Sequence, residues 1–388
     1  MTRPSVAPAA VTLLEQVHAH PGMSRAEAAR VLAMPSGFAA ETTARLVASR
    51  LLAERPVSTG RPGRPTTSLH PHPAGPLVAV AAIAHETWQV AAIQLGGTVV
   101  ASAQQPHGPQ LAGVLDGVAA QFGALHRQYG ERVAAWAVSV PGIVTGDRLL
   151  HAPNLGWHDV DLSVLRPGPS PAPFLAGNDA TFAGLAEHRR GAAAGEGTAV
   201  HLFLDAGVGG ALIDGRRMMA GATGTAGEYG HLPLGERKIP CQCGARGCWN
   251  TSLDGLAIAR FLHQPAPADQ VAYTREVIAA ARAGGRDESR AIRRVARSLG
   301  RGAAALVNAL DPAMVTVGGL GPDLLAAAGD ATAAAYHDGL MAFRRAEPPP
   351  LVPARFGAEG PRTGAAEEAF TRFLTSEAAG QWAARQPA

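Results

Sequence analysis

All three cysteines of this 388-residue chain fall within eight positions, as Cys241-x-Cys243-x4-Cys248, and His231 stands ten residues ahead of the first. Three thiolates and one imidazole are a complete tetrahedral ligand set for zinc, with no position left open for a catalytic water. The reading is therefore a structural Zn2+ ion held by His231, Cys241, Cys243 and Cys248, because unrelated buried thiols would not gather so closely. Thiols in metal-binding spacing, in place of scattered pairs, also suit a reducing compartment such as the cytoplasm.

Charge points to a second kind of chemistry at the other end of the chain. The net charge is +3, yet up to Pro73 eight arginines (Arg3, Arg25, Arg30, Arg45, Arg50, Arg55, Arg61, Arg64) face four glutamates, so the remainder is close to neutral. A basic N-terminal unit on a nearly neutral body suggests a separate module for a polyanion.

The elements that would position those arginines can be read from periodicity. A helix from Ala9 to Ala19 places Val11, Leu14 and Val17 on one face and ends at His20-Pro21-Gly22. Ser24 and Glu27 form a capping box for a second helix running to about Ala33. After the turn Met34-Pro35-Ser36-Gly37, a third helix from about Ala39 to Glu54 buries Thr43, Leu46, Val47 and Leu51. Helix, turn, helix and a basic Pro/Gly segment from Arg55 to Pro65 outline a winged helix-turn-helix over residues 1–72. Ala40, Glu41, Thr42 and Arg45 are then expected at a major groove of double-stranded DNA and Arg50 near phosphates. Arg61 and Arg64 of the wing are expected in a minor groove. The competing reading is a three-helix dimerisation or docking domain followed by a solvated linker.

His70-Pro71-His72-Pro73 reads as an extended linker. Beyond it come strands at Leu77–Ile83, Trp88–Leu95 and Thr98–Ala103, a hairpin at Gly96-Gly97, a helix from Leu111 to Tyr129 and a strand at Val133–Val140. This alternation predicts an α/β body. A hydrophobic content of 47% with 17% charged residues is that of a globular protein, and no apolar run reaches membrane-spanning length. The N-terminus lacks the pattern of a secretory signal, so a cytoplasmic location is expected. The arginine-rich run Glu276–Leu310 is expected to be helical with a solvated face.

The cysteine segment also carries a resemblance. Gly227-Glu228-Tyr229-Gly230-His231 followed by Cys-Gln-Cys-Gly-Ala-Arg-Gly-Cys-Trp-Asn resembles the signature of the ROK family, which holds sugar kinases and regulators such as the N-acetylglucosamine and xylose repressors. The resemblance implies a two-lobed body of the sugar-kinase-like, actin-like ATPase type: residues 73–190 with the C-terminal helix 364–388 as the first lobe, residues 191–363 with the zinc site as the second. Pro153-Asn154-Leu155-Gly156-Trp157 and Gly177-Asn178-Asp179-Ala180 resemble the family's sugar-side motifs. By that resemblance Asn154, Asn178, Asp179, Glu228, His231 and Asn250 would meet sugar hydroxyls. Asn250 stands where the family has a glutamate, which removes the charge-assisted share of one hydrogen bond.

The phosphate side departs from the kinase pattern. The turn Ala82-Ile83-Ala84-His85-Glu86 lacks the family's aspartate and glycines, and Asp205-Ala206-Gly207-Val208-Gly209-Gly210 places a negative charge where phosphate oxygens would lie. Phosphoryl transfer depends on positioning and charge neutralisation, so these changes imply a non-enzyme. The expected function is a DNA-binding regulator, most simply a repressor, that responds to a monosaccharide or derivative and acts as a homodimer or homotetramer. An ATP-dependent sugar kinase with an extra N-terminal domain, and a regulator without an effector, are the competing readings.

Overall fold

The computed structural model describes residues 4–57, 66–168, 170–215 and 217–386. Helix α1 (Pro8–Ala19) opens on a proline, whose missing N–H is no loss in a first turn, and buries Leu13, Leu14 and Val17. Helix α2 (Arg25–Val31) begins with the expected capping box, the Ser24 N–H donating to Glu27 over 2.7 Å.

The next helix differs from expectation at both ends. Helix α3 (Ser36–Ala48) starts at Ser36 instead of Ala39, because Pro35 serves as the extended N-cap and Ser36 and Gly37 continue as helix. It stops well short of Glu54: Arg50 takes φ +55°, which reverses the chain and sends Leu51 and Leu52 into the core. Strand β1 (Leu52–Val57) then pairs antiparallel with β2 (Thr66–Pro71). His70 and Pro71, expected in a linker, are ladder residues opposite Ala53 and Leu52. A proline fits at the end of such a two-stranded ladder, where no donor is required. Arg61 and Arg64, expected in the wing, lie outside the described residues.

Strands β3 (Leu77–Ile83), β4 (Thr87–Gln94) and β5 (Val99–Pro106) form an antiparallel meander, followed by helix α4 (Leu111–Tyr129) and strand β6 (Val133–Val140). A small three-stranded sheet, β7 (Ile143–Thr145), β8 (Arg148–Ala152) and β9 (Trp157–Asp161), is inserted before β10 (Phe174–Asn178) and helix α5 (Asp179–Arg190). The first large sheet has the order β10-β6-β3-β4-β5, with β10, β6 and β3 parallel.

A second five-stranded sheet is ordered β13-β12-β11-β14-β15. Strands β11 (Thr198–Leu204), β12 (Val208–Asp214) and β13 (Arg217–Met218) precede the cysteine segment. Helices α6 (Gly255–Phe261), α7 (Gln270–Arg282) and α8 (Arg286–Leu310) lead to β14 (Met314–Gly319), helix α9 (Gly321–Gly339) and β15 (Leu351–Pro353). The arginines of α8 are partly tied down: Arg294 lies over Phe261 and bonds Glu236, while Arg293 bonds Asp330.

The closing segment, expected as one helix, is two. Helix α10 (Gly360–Phe373) packs on α5 and on β3 and β6; Thr375 then caps α11 (Ser376–Ala384), which returns to α1. The Trp382 indole N–H donates to the Ser49 carbonyl over 2.9 Å. Leu13, Leu14 and Leu46 of the N-terminal helices share one apolar cluster with Val80, Ile93, Phe370 and Trp382. The N-terminal unit is thus docked on the body through a common core. Among the described residues, no helix is long and apolar enough to cross a membrane.

Candidate ligand pocket and metal centre

Between the two large sheets lies a cavity of about 300 Å³, lined by Asn154, Asn178, Asp179, Glu228, His231 and Asn250 together with backbone of the β11–β12 turn. All six residues singled out from the sequence as sugar-side groups border it, and its size falls at the lower end for small-molecule sites. Their side chains are not equally free. The Asn178 amide is engaged at both ends, its oxygen accepting from the Thr181 N–H at 2.9 Å and its nitrogen donating to the Gly142 carbonyl at 3.0 Å. It caps α5 and so fixes the position of its neighbour Asp179.

The Asn250 amide oxygen accepts from the Val208 N–H at 2.6 Å, pinning the β11–β12 turn to the metal-ligand segment. Loss of water pushes the Asp179 carboxyl up to about 6, against the pull of backbone N–H donors at the start of α5. Burial also raises Glu228 above its ordinary value. Asn154 lies in the loop between β8 and β9.

His231, Cys241, Cys243 and Cys248 converge, with one ligand atom from each lying within 4.8 Å of every other. The Cys243 and Cys248 sulfurs are 3.6 Å apart and the Cys241 sulfur is 3.7 Å from His231 Nδ1. Tetrahedral bonds of about 2.3 Å to sulfur and about 2.0 Å to nitrogen would set such edges near 3.5–3.8 Å, which these two contacts match, so the cluster could hold a metal ion. None of the cysteines is in a disulfide. His231 also explains how one residue serves two roles. Its Nδ1 faces the sulfurs while its Nε2 faces Glu228 Oε2 at 3.7 Å, so the ring bridges the metal centre and the pocket.

On the far side of Asp179 a second cavity of about 230 Å³ is lined by Ala82, Ile83, Ala84, Asp205, Arg275 and Gly319. Here burial and the Asp179 charge push Asp205 up to about 7, against Arg275. Burial and the neighbouring Asp269 carboxylate, which accepts a hydrogen bond from the protonated Glu86, push Glu86 to about 7 as well. Sequence reasoning noted Asp205 but missed Asp269, the N-cap of α7, which only the fold brings to the β3–β4 turn.

The N-terminal residues are placed as follows. Glu41 and Arg45 are exposed and paired to each other at 2.5 Å, and Arg50 is exposed beyond the end of α3. Ala40 is half-buried. Thr42 is only 6% exposed and faces the core beside Thr43, a correction to its expected outward position. The cause is phase: with α3 running from Ser36 and Leu46 buried, Ala39, Thr42 and Thr43 form the inner face. Phe38, missed because it precedes the expected helix start, is 44% exposed in the first turn.

The model of the ROK family matches residues 83–369, most of the chain. The chain belongs to the ROK family. A glucokinase of Halalkalibacterium halodurans is 27% identical over 254 residues, covering 60% of this chain and 77% of the relative. A xylose repressor of Caldicellulosiruptor bescii is 29% identical over 195 residues, covering 47% of this chain and about half, 49%, of the repressor. Among solved structures, a ROK family transcriptional regulator described as a homologue of the E. coli MLC protein superimposes over 97% of this chain and 98% of its own, with a TM-score of 0.74 and 19% identity. A ROK hexokinase of Thermus thermophilus covers 76% of this chain and 99% of its own, with a TM-score of 0.62 and 28% identity. The ROK body is thus common to relatives named as repressors and as kinases.

Proposed function

We propose that this ROK protein is a cytoplasmic DNA-binding transcriptional repressor whose body binds a sugar or sugar derivative. The N-terminal unit is a winged helix-turn-helix, with α3 as the recognition helix and the β1–β2 hairpin as the wing. The observation that carries this reading is that unit itself: three helices and a hairpin, rich in exposed arginine, docked in front of a sugar-kinase-like body. It is supported by the fold match over 97% of the chain to a regulator, where the hexokinase match spans 76%.

On the body, Asp179, Glu228 and Asn154 are the ligand groups, with Asn178 and Asn250 holding them and their loops in place. Zn2+ bound by His231, Cys241, Cys243 and Cys248 is structural and positions Glu228 through the His231 ring. Helix α5 joins the pocket to the DNA-binding unit: Asp179 stands at its first turn, and Arg190 at its last turn bonds Glu367, the partner of His18 on α1. A ligand that favours one lobe arrangement over another shifts that contact and with it the DNA-binding units of a homodimer or homotetramer.

The test is selection of binding sites for the full-length protein from a random duplex pool, repeated with Arg45→Ala. Enrichment of a two-fold symmetric site that the variant loses supports the reading; enrichment of nothing overturns it. The second reading, an ATP-dependent sugar kinase, is favoured by the retained Asp179, whose raised carboxyl suits a general base. ATP turnover with a hexose panel that vanishes in Asp179→Asn would establish it, and absence of turnover in the wild type removes it.

A further inference from the structure

Two adjacent residues of α3 have no use inside the folded chain. Phe38 leaves 44% of its surface in water, although apolar residues nearby, Ala39 and Leu46, are 2% exposed in the same helix. Gly37 has a negative φ, and a Cβ built on it would meet nothing within 4 Å. Packing therefore does not require glycine there, and in a helix glycine is less favourable than alanine. A bare backbone beside an exposed ring suits a surface that is closely approached from outside.

The surroundings define the visitor. Phe38, Glu41 and Arg45 stand at i, i+3 and i+7 and so form one outward stripe. Arg30, Arg50 and Arg55 are also exposed in the same unit, which gives it the charge to meet phosphates. In the major groove the one apolar feature of a base edge is the thymine C5-methyl group, which phenylalanine can contact.

Resting on the reading of α3 as a recognition helix, we propose that Phe38 reads a thymine methyl group in each half-site, and that Gly37 lets the first turn of α3 come close enough for it to do so. The ring covers the methyl, and the absent Cβ at Gly37 admits the groove wall or a neighbouring base edge. This occupant is duplex DNA, not a second copy of the chain, because the stripe continues into the charged pair Glu41–Arg45.

The experiment uses the full-length protein and the duplex enriched by selection. Each thymine of a half-site is replaced in turn by uracil, which removes only the methyl group, and the Kd is measured for wild type, Phe38→Ala and Gly37→Ala. For wild type, one uracil position should weaken binding about four-fold, the effect of one buried methyl-sized group. Phe38→Ala should bind the thymine duplex more weakly and be indifferent to uracil at that position. Gly37→Ala should raise the Tm, through helix propensity, while weakening binding.

Equal sensitivity of wild type and Phe38→Ala to uracil overturns this inference and leaves the regulator reading standing. A change of oligomeric state in Phe38→Ala, measured by sedimentation, overturns it in favour of a contact between copies. If selection enriches no duplex at all, the regulator reading falls and this inference with it.

Discussion

His18 Nε2 lies 3.0 Å from Glu367 Oε2, joining a helix near the start of the chain to one near its end. Both side chains are nearly fully buried, 7% and 5% exposed. The His18 Nδ1 accepts from the Gly96 N–H at 2.9 Å, so the ring donates from Nε2 to the carboxylate, and Arg190 supplies a second donor at 3.1 Å. Burial alone would raise the Glu367 carboxyl, but His18 and Arg190 hold it below the ordinary range. A depressed carboxyl contributes stability above its unfolded pKa, about 4.3, and that contribution is lost as pH falls through the lower folded value. Glu367→Ala should therefore lower stability at pH 7 by about 3 kcal/mol, the usual cost of leaving a buried charge unpaired. Chemical denaturation at pH 7 and again on acidification checks this: the difference between wild type and variant should shrink below about pH 4.

Removing one sulfur tests the metal centre. Cys243→Ser leaves His231, Cys241 and Cys248 and opens one edge of the tetrahedron. The expected outcome is loss of tightly bound zinc, measured by elemental analysis of protein purified without added metal, together with loss of sugar binding by calorimetry. The second loss follows because His231 Nε2 orients Glu228 only while Nδ1 is held. Full zinc occupancy in the variant would remove the assignment of Cys243 as a ligand.

Asp179 carries an opposite sign from Glu367. Its folded value of about 6 lies above the unfolded value near 3.9, so the folded protein holds an extra proton between those limits and stability falls as pH rises through them. Asp179→Asn should gain stability on the order of 2 kcal/mol at pH 7.5, and the gain should vanish near pH 4. Sugar affinity should move the other way. The carboxylate is the accepting form, so wild-type binding should weaken as pH falls through about 6, whereas the variant should bind weakly and without that dependence.

Much of this arrangement was legible from local patterns. The helix Leu111–Tyr129 and the strands Leu77–Ile83 and Val133–Val140 coincide with the expected spans, because each has clean periodicity between strong stops. The convergence of His231, Cys241, Cys243 and Cys248 was legible because they lie close in sequence. What was hidden depends on contacts made across the chain. The phase of α3, and with it the burial of Thr42 and exposure of Phe38, is set by Pro35 acting as a cap and by Leu46 docking into the shared core. The ladder role of His70 and Pro71 depends on partners on the far side of the hairpin. Asp269 reaches Glu86 only once the lobes face each other. Similarly, Asn250 looked like a weakened ligand, but its amide oxygen serves the Val208 N–H, a partner 42 positions upstream.

Gly302 gives a test in which propensity and packing predict opposite signs. It lies inside α8, where alanine is ordinarily preferred to glycine by about 1 kcal/mol. A Cβ at this position, however, would stand 2.0 Å from the Trp249 ring, which is fully buried and donates from its indole N–H to the Ser298 carbonyl. Trp249 follows Cys248 and precedes Asn250, so it anchors the metal-ligand segment to α8. The clash must push either the ring or the helix, and overpacking of this kind typically costs about 1–3 kcal/mol. Gly302→Ala should therefore lower the Tm in spite of its better helix propensity. The displaced ring should also pull on Cys248 and Asn250, so zinc should exchange faster with a chelator and the sugar Kd should rise. Trp249→Phe in the same chain should recover part of the lost stability by making room for the methyl group. A Tm for Gly302→Ala above that of wild type would show that α8 and the metal segment are not held in this register.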